Sequence, residues 1–390
     1  MDLASFAWLR SSAGQEVLAE ATALAAQGTD PLRAGEQLRR TTTPERAAVA
    51  MTQVELRARG AEKFGDLAAR MYFTPDGLEQ STRLEVSRHR AARISFARPT
   101  SVVDLGCGIG GDLMAVATTG VTTAGVDLDP VRVAVAEANL RALDLPGAVM
   151  VADATTLDLS GFGIAFADPA RRTGRGRVFD VDAYTPPWSF VESLLQRPAC
   201  VKVAPGIPHD RVPTGVEAEW VSFRGEVKEA ALWSPQLATT ARRATVMTGN
   251  GLATLTEEDD PGSAPVRAAG RYLYEPDGAV IRSGLVTAVA AALDGGLLDP
   301  HIAYLTADTE AITPFARGYE VLEELPFHTK HLKAALRERG IGRLTIKKRG
   351  VDVVPEELRQ RLSLQGDAEA TIVMTRVDGH GTALLVRPLV

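Results

Sequence analysis

Val102-Val103-Asp104-Leu105-Gly106-Cys107-Gly108-Ile109-Gly110-Gly111 decides the fold, because an apolar strand here runs straight into a glycine-rich turn and then a helix. Gly106 and Gly108 can take backbone angles that a side chain forbids, and Gly110 lets helix and strand approach closely. Backbone N–H groups of such a turn are expected to face a ligand. Thr122-Thr123-Ala124-Gly125-Val126-Asp127 reads as the next strand. It ends on a carboxylate about 20 residues after the loop, where a ribose diol would be held. Asp129-Pro130 then starts a helix, as N-cap and first-turn proline. A nucleotide-free α/β core or an NAD site is the alternative. An NAD enzyme more usually shows G-x-G-x-x-G, whereas this turn is preceded by Asp104 and continues Gly110-Gly111.

Three further stretches follow in order: Gly125-Val126-Asp127, Val151-Ala152-Asp153-Ala154 and Phe166-Ala167-Asp168-Pro169. With the glycine loop they resemble the ordered motif series of class I S-adenosylmethionine-dependent methyltransferases, over roughly residues 78 to 235. The resemblance implies a Rossmann-like sheet and S-adenosyl-L-methionine as cofactor. By that likeness Asp104, Gly106, Gly108 and Gly110 surround the methionine part of the cofactor, Asp127 the ribose, and Asp153 with Ala154 the adenine. Leu78-Glu79-Gln80-Ser81-Thr82 resembles the L-E-Q element that precedes the glycine loop in several N6-adenine methyltransferases, which implies a cofactor contact for Gln80. A plain structural helix fits that stretch equally well.

Length and composition set the bounds. The 390 residues suffice for two or three domains, and the apolar content is that of an ordinary globular protein. No stretch approaches the length of a membrane span, and residues 1 to 28 lack the pattern of a signal peptide. Two cysteines and six scattered histidines offer neither a disulfide framework nor metal-ligand spacing, so a cytoplasmic protein without a metal is expected. A net charge of −6 argues against wholesale electrostatic capture of nucleic acid, although a local patch can still bind it.

Residues 1–97 read as a helical N-terminal region, with one helix started by Thr43-Pro44 and another by Thr74-Pro75. Strand and helix alternate over 98–250, the expected methyltransferase domain. The acidic, breaker-rich stretch 251–270 is a candidate linker. Residues 271–390 mix strands and helices and resemble the THUMP-like module found behind a methyltransferase domain in a bacterial family with an Asp-Pro-Ala-Arg motif. THUMP modules proper bind structured RNA, so the resemblance implies RNA as partner.

Ligand chemistry in such sheets sits at the carboxyl ends of strands, which places Asp168 where a methyl acceptor should lie. In amino-methylating relatives an Asp/Asn/Ser-Pro-Pro-aromatic motif occupies this place. Asp168-Pro169-Ala170-Arg171 keeps the carboxylate and loses the second proline and the aromatic. The resemblance therefore implies Asp168, Pro169 and Arg171 as catalytic residues. Thr185-Pro186-Pro187-Trp188 offers an aromatic but falls well past the strand end, and reads better as a proline-started helix with a packed tryptophan. Neither Cys107 nor Cys200 is placed as the nucleophile that carbon-5 methylation of a pyrimidine requires, so nitrogen or oxygen acceptors are favoured.

Two basic clusters suit phosphate. Arg171, Arg172, Arg175 and Arg177 follow Asp168, with a solvated loop paired to Asp180 and Asp182 as the alternative. Between Lys330 and Arg349, eight cations including Lys347, Lys348 and Arg349 face the single acid Glu338. The expectation is a methyltransferase acting on a nitrogen of an RNA base. A small-molecule or protein acceptor, or a cofactor-binding protein without turnover, are the competing readings.

Overall fold

The computed structural model describes residues 1–171, 184–249 and 251–389. Two compact units emerge from its contacts. Unit 1 comprises Met1–Val203, Pro213–Val216 and Leu232–Ala238, and unit 2 comprises Ala204–Val212, Glu217–Ala231 and Thr239–Val390.

In unit 1, six helices precede the first strand: α1 (Leu3–Leu9), α2 (Ser12–Ala26), α3 (Pro31–Leu38), α4 (Pro44–Phe64), α5 (Pro75–Gln80) and α6 (Leu84–Phe96). Both threonine-proline starts behave as the sequence implies. The Thr43 hydroxyl accepts from Arg46 N at 3.4 Å and the Thr74 hydroxyl from Gly77 N at 3.0 Å, satisfying N–H groups that a helix start leaves without partners. Then follow β1 (Ser101–Leu105), α7 (Gly111–Ala117), β2 (Thr122–Asp127), α8 (Pro130–Ala142), β3 (Ala148–Val151), β4 (Ile164–Ala167), β5 (Ala170–Arg171), β6 (Tyr184–Thr185), α9 (Trp188–Leu194) and β7 (Ala199–Val203). The strands β7-β4-β1-β2-β3 lie side by side in that order, all parallel. Ile164-Ala165-Phe166-Ala167 is buried throughout, the continuous apolar run of a strand covered on both faces. Phe6, Leu56, Phe64, Met71 and Phe73 of the N-terminal region share one core with Ile109, Leu113 and Val135. The helical region is thus packed on the glycine-rich turn.

Unit 2 contains β8 (Glu217–Phe223), most of β9 (Glu226–Trp233), β10 (Arg242–Thr248), β11 (Gly251–Thr256), β12 (Tyr272–Pro276), α10 (Gly278–Ser283), α11 (Val286–Ala292), β13 (Gly296–Asp299), β14 (Ile302–Ala307), β15 (Ala316–Leu325), α12 (Thr329–Glu338), β16 (Ile341–Lys348), α13 (Pro355–Leu362), β17 (Ala368–Val377) and β18 (His380–Pro388). β10 pairs parallel with β8 and antiparallel with β11. The stretch 251–270 therefore opens with a paired strand, because Leu252-Ala253-Thr254-Leu255 can extend before the breakers begin at Pro261. Seven strands form a second sheet, β13-β14-β12-β15-β18-β17-β16, antiparallel except for β16 with β17. Leu332 and Leu336 of α12 and Leu358 and Leu362 of α13 bury against Ile346, Ile372 and Met374 of this sheet. Among the described residues no helix is long and apolar enough to cross a membrane.

Candidate active site

Gly106, Gly108 and Gly110 all have positive φ, at 88°, 55° and 88°, which only glycine adopts without strain. Gly110 lets the start of α7 approach a helix, where a strand was expected, since a Cβ there would lie 3.3 Å from that of Ala136 on α8. The expectation about the N–H groups is corrected. Gly106 N and Cys107 N donate to Val126 O at 2.8 and 2.9 Å, Gly110 N to Cys107 O at 2.8 Å, and Gly108 N to Asp127 Oδ2 at 3.0 Å. The turn uses these donors to close on itself and to bind the end of β2. What it offers a ligand is room, because a Cβ on Gly108 would meet nothing within 4 Å.

Two carboxylates flank that space. Asp127 is 8% exposed; its Oδ1 accepts from Asp129 N at 2.9 Å and its Oδ2 from Gly108, so the carboxylate is oriented by main chain. Asp104, 3% exposed at the end of β1, has no hydrogen-bond partner on either oxygen among the described residues. Burial, then the carboxylates of Asp112 and Asp168, push its pKa well above the usual carboxylate range, and Arg90 opposes this. A buried charge without a partner is costly, so the site favours a cation there.

The remaining positions expected at the cofactor lie nearby in sequence order. Asp153 follows β3 and is exposed; hydrogen bonds from Thr155, Oγ1 at 2.7 Å and N at 2.9 Å, hold it below its ordinary pKa. Ala154 opens the short 3-10 turn Ala154–Thr156. Gln80 is the last residue of α5 and is exposed. Its helix lies beside the turn, for a Cβ on Gly77 would run into Ile109 Cγ2 at 2.4 Å, and one on Gly111 would sit 3.9 Å from Ser81 Cβ.

Asp168 stands at the carboxyl end of β4, one-third exposed, with its carbonyl oxygen 3.9 Å from where a Gly106 Cβ would be. Its Oδ2 receives Lys202 Nζ at 2.6 Å, and the same ammonium lies 3.3 Å from Thr82 Oγ1. Pro169 is buried. Arg171 lies in β5, its backbone paired with Tyr184. Arg172, Arg175 and Arg177 fall outside the described residues. Trp188 starts α9 after Pro187 and packs edge-on against Tyr184, with ring centroids 5.6 Å apart, as the packed-helix reading expects. Lys202 and Thr82 were not expected from sequence. The available signal was a single lysine inside the apolar run Cys200-Val201-Lys202-Val203.

Unit 2 holds the C-terminal basic stretch. Lys347 Nζ lies 2.5 Å from Glu275 Oε2 and 5.6 Å from the Tyr319 ring centroid, Arg349 lies over Tyr304, and Lys348 is exposed. Arg339 pairs with Glu323 at 2.6 Å and Arg343 with Glu369 at 2.6 Å. Lys333 and Arg337 each donate at 3.1 Å to carbonyls at the end of α13, of Arg361 and Ser363.

A parallel sheet carrying this turn, two carboxylates and an acidic strand end define a class I methyltransferase. Comparison with known proteins carries this further. Residues 316–388 match the family model described as THUMP domain-like, and residues 2–60 match a domain of unknown function, DUF8688. An uncharacterized S-adenosylmethionine-dependent methyltransferase of Mycobacterium tuberculosis, present in two strains, is 37% identical over 349 residues, covering 85% of this chain and 95% of the relative. A crystal structure of a candidate methyltransferase from Porphyromonas gingivalis W83 is similar with a TM-score of 0.76 at 25% identity, over 95% of this chain and 98% of that one. The chain belongs to the S-adenosylmethionine-dependent methyltransferase family, and is an enzyme of that class with a THUMP-like module at its C-terminus.

The residues present fit the cofactor. Asp104 supplies a buried carboxyl with no hydrogen-bond partner among the described residues, which a cation would hold ionised, and S-adenosylmethionine carries two cationic groups, an ammonium and a sulfonium. The space over Gly108 accommodates a ligand that a side chain would displace.

Proposed function

We propose that this enzyme methylates a nitrogen of an RNA base, with Asp104, Gly106, Gly108, Gly110, Asp127, Asp153, Ala154 and Gln80 at the cofactor and Asp168 at the acceptor. When bound, S-adenosylmethionine supplies an electrophilic methyl group. The chain then has to align the acceptor, exclude water and hold the proton that the nitrogen gives up. One observation carries the reading: the Asp168 carboxylate sits at the strand end beside the glycine-rich turn with one oxygen fixed by Lys202. Its other oxygen is suited to accept from an amino or ring N–H, which orients the nitrogen lone pair in line with the methyl group. Pro169 stiffens the chain after it, and Arg171 and Arg172 are assigned to acceptor phosphate.

The THUMP-like match and the surplus of cations between Lys330 and Arg349 support RNA as the acceptor class. In this reading residues 98–250 carry the chemistry and 271–390, with Lys347, Lys348 and Arg349, hold RNA. The partnering of Lys347, Arg339 and Arg343 with carboxylates favours the second reading, a small-molecule or protein acceptor. The test is incubation of the enzyme and methyl-labelled S-adenosylmethionine with whole-cell extract of a strain lacking the gene, followed by fractionation and nucleoside mass spectrometry of the RNA. Label in an N-methylated nucleoside is expected; label confined to protein or small molecules supports the second reading.

A further inference from the structure

The last residues of α5 and the turn after it are held by a residue of α4. Lys63, in the last turn of α4, donates from Nζ to the main-chain carbonyls of Leu78 at 2.8 Å, Glu79 at 2.6 Å and Ser81 at 2.8 Å. Carbonyls at a helix end lack partners within the helix, and a cation suits the negative end of the helix dipole. An ammonium has three donors, and here all three are engaged. One residue further on, buried Thr82 presents its hydroxyl to Lys202, which holds Asp168. Three contacts therefore connect α4 to the acceptor carboxylate.

We propose that Lys63 is a positioning residue for methyl transfer: by fixing the turn 78–82 it sets Thr82 and Lys202, and through them the Asp168 carboxylate. The proposal rests on the reading of Asp168 as the residue that holds the acceptor. It gives the N-terminal helices a part in the catalytic unit that their sequence does not announce. It also gives the site a pH dependence. Burial, with Lys202 of β7 and Arg83 after the turn, pushes the Lys63 pKa down to about 8, against the pull of Glu62 on α4 and Glu79 on α5. Deprotonation removes one of three donors, so one carbonyl loses its partner as pH rises through about 8. The clamp is complete below that pH and loosened above it.

Lys63→Met keeps much of the stem and removes every donor, and Lys63→Arg keeps a cation that does not titrate in this range. Amide hydrogen exchange is expected to show protection at residues 78–82 falling about tenfold or more in Lys63→Met, with α8 unchanged. Methyl transfer to the RNA fraction is expected to fall about tenfold in the same variant. Wild-type activity should decline through pH 8 to 9, whereas Lys63→Arg should hold its rate across that interval. Wild-type protection and rate in Lys63→Met would overturn the proposal. So would an alkaline decline in Lys63→Arg identical to the wild type, which remains decisive if Lys63→Met loses protection in α8 as well. If Asp168→Ala keeps its activity, the reading of Asp168 fails, while exchange at 78–82 still reports on the clamp itself.

Discussion

The glycine-rich turn in unit 1 and the basic stretch in unit 2 treat charge in opposite ways. Asp104 is buried with neither oxygen satisfied among the described residues, and Asp127 is oriented by main-chain donors. Between Lys330 and Arg349, by contrast, Lys347, Arg339 and Arg343 are matched to Glu275, Glu323 and Glu369. Unsatisfied buried charge costs stability and is tolerated where a ligand completes it, whereas paired surface charge contributes little either way. The contrast teaches that the number of charges in a segment says less about binding than how many the fold leaves unmatched.

The largest effect that would sharpen this contrast is at Asp168, proposed to hold the acceptor. Asp168→Ala is expected to bind S-adenosylhomocysteine almost normally while turnover falls by at least about 100-fold, the size of a lost positioning or proton-accepting group. Single-turnover transfer from labelled cofactor measures it, and a variant that loses cofactor instead would move Asp168 to the other side of the site. Next comes Asp127, proposed to hold the ribose. Asp127→Ala should weaken S-adenosylhomocysteine binding by about 30- to 1000-fold, from two charge-assisted hydrogen bonds together worth about 2–4 kcal/mol. Calorimetry on the folded variant decides; unchanged affinity would falsify the ribose assignment.

Smaller and of opposite sign is the effect on stability of Asp104→Asn. Because the raised pKa makes the ionised side chain the costly form, stability of the ligand-free wild type falls as pH rises above the usual carboxylate range. The variant lacks that slope, and at neutral pH it is expected to gain about 1–3 kcal/mol while losing cofactor affinity. Thermal melts from pH 4 to 8 compare the two. The smallest effect tests unit 2. Each phosphate neutralised on single-stranded RNA contributes about −0.7 to the slope of log affinity against log salt. Lys348→Gln, at an exposed cation, should flatten the slope by about that amount, and Lys347→Gln, whose cation is shared with Glu275, should flatten it by less. Equal slopes in both variants and wild type would make the stretch a solvated face and bring a different acceptor forward.

The proposed cofactor half of the site could be nominated from the chain because its parts are local. Asp104, the three glycines and Asp127 lie on one strand-turn-helix-strand unit, and each is marked by a residue type that few other conformations require. For the proposed acceptor half the chain nominated Asp168 and missed its partner. Lys202 joins it from 34 positions away, and a lone lysine among valines reads as the exposed face of an edge strand. The same distance effect hid the partnering of the basic stretch, since Glu275 lies 72 positions before Lys347 and Glu323 lies 16 before Arg339. The inward turn of the glycine N–H groups was hidden for another reason. Glycine spacing states that the chain can bend sharply, and not which carbonyls the bend will face.

Asp104, protonated more readily than an ordinary carboxyl, is proposed to take a cationic ligand at the glycine-rich turn. Calorimetric titration of S-adenosylmethionine in two buffers of different ionisation enthalpy at pH 6 measures the protons released on binding. A cation brought beside Asp104 lowers its pKa, so the wild type should release protons on binding and Asp104→Asn should release measurably fewer. Identical proton release in the two proteins, with cofactor affinity preserved in the variant, would contradict the account.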